Sequence, residues 1–390
     1  MTDLLVRGGT VVTAGRSWRA DIAVEGGRIV AVEADIAGLA AGAPVVSAEG
    51  LLVLPGIVDV HTHTRVASDA EPDRFYRDSV AAAYGGTTSF LAFNNPGTGS
   101  SAAAERSLLA GLREWRAATE HDSAIDYAVS LAISGRMDDP IAELPAMVDA
   151  GVSTAKAFMV FDFRLDDVRL FEAMGVLGRR GGMLQVHCED PVLIDAGVAS
   201  ALHRGNTAAR YHATSRPAYA EGVATARAMA FARAADAPVH VVHLSSADAL
   251  RHVAEAKALG VRVSAETCPH YLALTEDRYD STDDLEIAKV IISPPLRTAA
   301  DGDALWAGLA AGDLDLVATD HVPDRVAVEK GDAARGVPFN EISNGAPGIE
   351  TLLIIGFSEG VARGRLTAER LVDVLATTPA RRFGLRRKGS

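Results

Sequence analysis

Hydrophobic and polar positions change their pattern near residue 55. Before it, "DLLVRGGTVVT", "ADIAVEGGRIVAVEA" and "PVVSAEGLLVLPG" alternate apolar and polar residues around Gly-Gly turns, which predicts short strands in a small β unit over 1–54. After it, apolar runs alternate with Ala-rich stretches such as "RSLLAGLREWRAATE" and "EGVATARAMAFARAAD", the pattern of βα units feeding a parallel sheet. The runs are "GIVDVHTH", "TTSFLAF", "DYAVSLAI", "VSTAKAFMVF", "MLQVHCED", "PVHVVHLS", "VRVSAETC" and "LDLVATDH". Eight in a row predict a closed (β/α)8 barrel over 55–345, and no Gly-x-Gly-x-x-Gly opens a helix after the first run as a dinucleotide fold would require. Two helical stretches, "GIETLLIIGFSEGVARG" and "TAERLVDVLATTPARRFG", fill 346–390 and are expected to return towards the β unit. The fold class is therefore α/β, a (β/α)8 TIM barrel with a small β-sandwich built mainly from the N-terminal segment.

Barrel chemistry belongs at the C-terminal ends of the strands. His61 and His63 close the first run, Lys156 lies in the fourth, His187 closes the fifth, His243 the sixth and Asp320 the eighth. His61 and His63 are two apart, so they share one face of a strand, with Asp59 below them. A lone His-x-His can be two polar residues at a strand end. Matching groups on four further runs make it half of a metal site, and imidazole suits zinc and other late divalent ions.

Lys156 sits in a run so apolar that an inward ammonium would be costly to desolvate. It either snorkels outward or pairs with a carboxylate, or its amine has taken up carbon dioxide to become a carbamate able to bridge two metals. Burial favours the last by stabilising the neutral, reactive amine. Two metals about 3.5–4 Å apart could hold a bridging hydroxide as nucleophile. Asp320 could then take its proton and pass it to the leaving nitrogen, although an aspartate there could also cap a helix. His121, His203, His212, His240 and His252 are read as helical or loop residues. His270 and His321 lie nearer the rim, and Cys188 is a buried thiol facing away from His187.

Composition narrows the partners. The 390 residues carry a net charge of −13, which argues against nucleic acid or an anionic membrane surface. The basic tail "RRFGLRRKGS" suits a helix C-terminus. Two cysteines form no disulfide framework, no apolar run reaches the ~18 residues of a membrane helix, and no signal peptide is visible, so a cytoplasmic protein is expected.

"PGIVDVHTH", the Lys156 strand, "HCED", "VVHLSS" and "ATDH" resemble, in order and spacing, the cyclic-amidohydrolase branch of the amidohydrolase superfamily. "HATSRPAYAEGVATARA", "AETCPHYL", "ISPPLR" and "ISNGAPGIETLL" look most like hydantoinases and dihydropyrimidinases. The resemblance implies hydrolysis of a cyclic ureide or imide by two divalent metals, usually zinc. His61, His63, Asp320 and N6-carboxylated Lys156 would hold one metal; Lys156, His187 and His243 would hold the other. It also implies a ring held at Ser293 and Asn344, and a homodimer or homotetramer. Allantoinase or dihydroorotase specificity is the alternative; a non-catalytic dihydropyrimidinase-like scaffold is disfavoured because every ligand is present.

Three positions depart from the hydantoinase pattern. Phe161 stands where that pattern has a carbonyl-polarising tyrosine. Arg65 and Asn94 resemble the carboxylate-binding residues of dihydroorotases, but Asp324 stands where those enzymes show a histidine and would repel a carboxylate. Arg65 could instead pair with a loop acid such as Asp69 or Glu71. The resemblance also implies sandwich strands beyond the "FGL…RKG" element, whereas this sequence stops at Ser390.

Overall fold

The computed structural model describes residues 2–36, 38, 42–66, 68, 71–94 and 105–390. Strands β1 (Leu4–Val12), β2 (Ser17–Glu25), β3 (Arg28–Glu33), β4 (Val45–Ser47) and β5 (Leu52–Val53) form a separate sheet ordered β3-β2-β1-β4, with β5 also on β1. The β2–β3 hairpin turns through Gly26 and Gly27 at φ 58° and 70°, a conformation that glycine adopts without a Cβ penalty. Small clusters around Leu5, Ala23 and Ile36, and around Val11, Ala20 and Ile22, hold the sheet together.

The barrel follows as β6 (Ile57–Thr62), β7 (Thr87–Asn94), β8 (Asp126–Ala132), β9 (Thr154–Phe158), β10 (Met183–His187), β11 (Val239–Val241), β12 (Val263–Thr267) and β13 (Leu316–Val317). These are the eight runs read from the sequence, paired in chain order with every neighbour parallel. The two end strands close through a parallel Thr62–His321 bridge and a 2.7 Å bond from the His63 N–H to the His321 carbonyl. Asp59 bolts the same seam from within: it accepts from the Thr319 N–H at 3.1 Å and the Thr319 hydroxyl at 2.5 Å. Burial raises its pKa to about 6 even though those Thr319 bonds pull it down.

The runs are longer than the strands. "PVHVVHLS" and "LDLVATDH" pair over only three and two residues, and His243 and Asp320 lie just past the paired segments with φ of 37° and 49°. Left-handed backbone at a non-glycine residue is sparsely populated, and here it turns the chain off the ladder at the two positions that carry candidate ligands.

One large apolar cluster packs helices around the strands. The C-terminal stretch is broken into helices Leu352–Ile355, Ala368–Val372 and Thr378–Arg382 with π-helical turns between them. Thr367 caps the middle helix through the Arg370 N–H at 3.1 Å. Glu369, in the first turn of that helix, accepts from Ser17 of the N-terminal sheet. Ala380 and Phe383 pack with Val58, Val60, Leu91, Met183, Leu316 and Ala318 of the barrel. Among the described residues no helix is long and apolar enough to cross a membrane.

Candidate active site

Short strands with buried faces deliver the six ligand candidates to one end of the barrel. His61 is completely buried on β6. Its Nε2 lies 3.3 Å from His63 Nε2, 3.0 Å from Asp320 Oδ1 and 2.7 Å from Lys156 Nζ. His63 Nε2 is also 3.0 Å from Asp320 Oδ1. The His243 ring is 5.4 Å from His61 and 4.5 Å from His187, centre to centre. Five of the six groups expected at the rim line one pocket, and the sixth, His61, is buried against His63, Lys156 and Asp320.

Lys156 is 1% exposed and faces inward, with Nζ 4.7 Å and 5.0 Å from the ring centres of Phe93 and Phe158. The outward, snorkelling alternative is therefore wrong. Burial pushes its pKa down to about 8 despite the Asp320 carboxylate. Burial likewise lowers His63 to about 4, lowers His187, and lowers His243 further, so their neutral, ligating forms prevail at pH 7. Burial would raise Asp320, but the His61 and His63 imidazoles hold it well below the carboxylate range.

His61, His63 and Asp320 bring one ligand atom each to within 4.8 Å of one another, a set that could hold a metal ion. One orphaned atom fits the same use: His243 Nδ1 is buried without a hydrogen-bond partner. Imidazoles with a carboxylate suit zinc or a similar divalent cation.

The outer ring of partners was not evident from the sequence. His61 Nδ1 bonds Glu266, whose other oxygen lies 2.9 Å from His240 Nε2; His240 Nδ1 in turn meets Ser264 Oγ at 2.8 Å. His240 is thus no loop or helix residue. It is a fully buried member of β11 and part of the support for His61. Burial and the Lys156 ammonium both lower the His61 pKa, yet the Asp320 and Glu266 carboxylates outweigh them and leave it raised. Burial opposes ionisation of Glu266, but His61 and His240 bring its pKa down to about 2.

On the other side, His187 Nε2 lies 2.9 Å from Glu189 Oε2, which Arg216 grips at 2.6 Å. Two sequence signals could have found these carboxylates. Glu189 is two residues past His187, and Glu266 is the one charged residue of β12.

The pocket is a cavity of about 320 Å³ that also takes in Arg65, Phe158, Phe161, Phe163, Ser293 and Asn344. Ser293 Oγ donates to Asn344 Oδ1 at 2.8 Å, which joins the two expected ring-binding segments. Phe161 stacks on Phe163 and lies under the Arg216 guanidinium, 5.3 Å away, so it provides an aromatic wall and no proton. Asn94 ends β7 half-buried and is not among the residues lining this cavity.

Arg65 does pair with acids, though not with Glu71. Its partners are Asp324 at 2.6 Å and Glu329 at 3.3 Å, while Glu71 binds Arg74, Arg77 and Arg325. Asp69 lies outside the described residues. His321 Nδ1 accepts from the Gly348 N–H at 3.1 Å, and Cys188 is buried as expected.

Known proteins resemble this chain in sequence and in fold. Residues 50–249 match the family model described as dihydro-orotase-like. The chain is 36% identical to the D-hydantoinase of Streptomyces coelicolor over 388 residues, 98% of this chain and 81% of that protein. It is 36% identical to the D-phenylhydantoinase of Escherichia coli O157:H7 over 389 residues, again 98% and 81%. Its structure superimposes on the dihydropyrimidinase of Brevibacillus agri with a TM-score of 0.91 at 36% identity, covering 100% of this chain and 83% of that one. Against the L-hydantoinase of Arthrobacter aurescens the TM-score is 0.89 at 28% identity, with 100% and 84% covered. The metal-ready barrel mouth, the matched core segment and the near-full-length relatives lead to one conclusion: the chain belongs to the dihydro-orotase-like family of cyclic amidohydrolases, in its hydantoinase and dihydropyrimidinase group.

Proposed function

We propose that the protein opens the ring amide bond of a cyclic ureide or imide with two divalent metals, zinc being the best match to the ligands. The observation that carries this is the convergence of His61, His63, Lys156, His187, His243 and Asp320 on one buried cluster. His61, His63, Asp320 and carboxylated Lys156 would hold one ion; Lys156, His187 and His243 would hold the other. Carboxylation adds carbon dioxide to the neutral Lys156 amine with loss of one proton, so a cation becomes an anionic oxygen ligand. When bound, the metals would activate a water and polarise the ring carbonyl.

The chain's own residues do the rest. Asp320, which faces the cavity beside His61 and His63, accepts the proton of the attacking water and returns it to the departing ring nitrogen. Ser293 and Asn344 present hydroxyl and amide groups to the imide edge. Phe158, Phe161 and Phe163 exclude water from the ring's apolar side. Phe161 cannot donate a hydrogen bond to the ring carbonyl, so any polarisation there would have to come from the bound ions. A cytoplasmic setting suits two buried free thiols, and a homo-oligomer remains part of the proposal.

The test is metal analysis of the purified protein alongside a panel of hydantoin, dihydrouracil, allantoin, dihydroorotate and simple cyclic imides. Two metal equivalents and turnover of at least one ring are expected. Lys156→Ala should abolish turnover, with partial rescue by short carboxylic acids. No metal and no turnover on any ring would refute the proposal, and an unmodified Lys156 in a fully metal-loaded crystal would overturn the carbamate.

A further inference from the structure

Arg65 reaches the wall of the catalytic cavity from the loop that follows His63, and a guanidinium there is a fork suited to a carboxylate. The fork is already filled. Arg65 Nη2 donates to Asp324 Oδ1 at 2.6 Å, and Nη1 donates to Glu329 Oε1 at 3.3 Å on its more open side. Asp324 is not a mobile surface acid. Its side chain is fully buried, its second oxygen accepts from Ser343 Oγ at 2.6 Å, and Lys330 Nζ lies 3.6 Å away.

Lys330, itself 2% exposed, donates to the Ile291 and Ser343 carbonyls at 3.2 and 2.6 Å. Those carbonyls lie two residues before Ser293 and one before Asn344. The same ion network therefore neutralises Arg65 and anchors both segments that face the ring. Asp324 pairs with Arg65 and Lys330, and Glu329 pairs with Arg65 and, at 2.9 Å, with Arg325, so none of these three cations is left open to an acidic substituent.

We propose that Asp324 is a built-in stand-in for a substrate carboxylate: by occupying Arg65 it restricts the pocket to rings without an acidic substituent. This rests on the ring-opening function proposed above. An acidic ring would have to displace a buried, doubly held carboxylate or enter beside it unpaired, and either route costs binding that an uncharged ring keeps.

The experiment compares kcat/KM for hydantoin and for hydantoin-5-acetic acid, in the parent protein, Asp324→Asn, and Asp324→Asn combined with Arg65→Met. The parent should favour the uncharged ring. Asp324→Asn should shift the ratio towards the acidic ring by roughly tenfold or more, the scale of one unit charge a few ångströms away at a partly solvated site. Adding Arg65→Met should cancel that shift. Equal use of both rings by the parent, an unchanged ratio in Asp324→Asn, or a shift that survives Arg65→Met would each overturn the proposal.

If Asp324→Asn fails to fold by circular dichroism, Glu329→Gln at the open side of the same fork replaces it. It should move the ratio the same way by about threefold, and no movement would be equally fatal. A parent that opens neither of these two rings leaves the ring-opening function to the wider panel above. The proposal is then decided by equilibrium titration of the two rings, which must show the same shift in relative affinity.

Discussion

Glu266 gives one carboxylate oxygen to each of two imidazoles, His61 and His240, and all three side chains are shut away from water. With Nδ1 tied to Glu266, His61 turns Nε2 towards His63, Lys156 and Asp320. A carboxylate behind a ligating histidine fixes its tautomer and raises its basicity, and loss of such a partner typically weakens metal binding by about 10–100-fold. Glu266→Gln is accordingly expected to lose metal to a competing chelator at concentrations about tenfold or more below those that strip the parent. Equal chelator resistance would show that Glu266 only fills space. The sequence shows an acid inside a strand but not its partners, because a glutamate there does not announce which histidine it meets. His240 shows the same limit: the sequence reads it as a helical or loop residue, and only the structure places it on β11 against Glu266 and Ser264.

At the level of elements, the barrel depends on a seam between its first and last strands. β13 pairs over only two residues, so Asp59 and Thr319 carry much of the closure beyond the backbone bridge at Thr62 and His321. Asp59→Ala leaves the Thr319 N–H and hydroxyl without their buried acceptor and is expected to cost about 1–3 kcal/mol, measured by chemical denaturation at pH 7. Asp59 also predicts a pH dependence. Its folded pKa of about 6 exceeds the ordinary 3.8, so the folded chain holds the proton more tightly. Stability from this group is therefore full below about pH 4 and falls as pH rises through 6, a slope that Asp59→Ala should remove. If the parent shows no such slope, the carboxyl is already ionised at low pH and burial does not raise its pKa. Periodicity identified all eight strands but overran their ends, because an apolar run does not show where a left-handed residue such as His243 or Asp320 leaves the ladder.

For the molecule as a whole, the C-terminal helices do more than trail behind the barrel. Phe383 packs among Val58, Val60, Met183 and Leu316 and lies 5.3 Å from the His240 ring, so a residue near the chain's end backs the network behind His61. Phe383→Ala should open a cavity there and cost about 3 kcal/mol or more, seen as a lower denaturation midpoint with the denaturant slope unchanged. A change below about 1 kcal/mol would mean that the barrel does not depend on this segment.

The sequence alone determined the features set by short-range periodicity and by residue chemistry at strand ends. They are the N-terminal sheet, the eight parallel strands and six ligand-capable groups on one rim, because strand alternation and barrel polarity tie local position to global place. Tertiary structure decided the features that depend on pairs far apart in the chain: Glu266 behind His61, Arg216 on the Glu189 that backs His187, Asp59 on Thr319, and Asp324 in the fork of Arg65. Arg65 and Asp324 are separated by 259 positions, and no local pattern couples them. Only the closing of the barrel brings the two charges within hydrogen-bonding distance, where low exposure makes their pairing count.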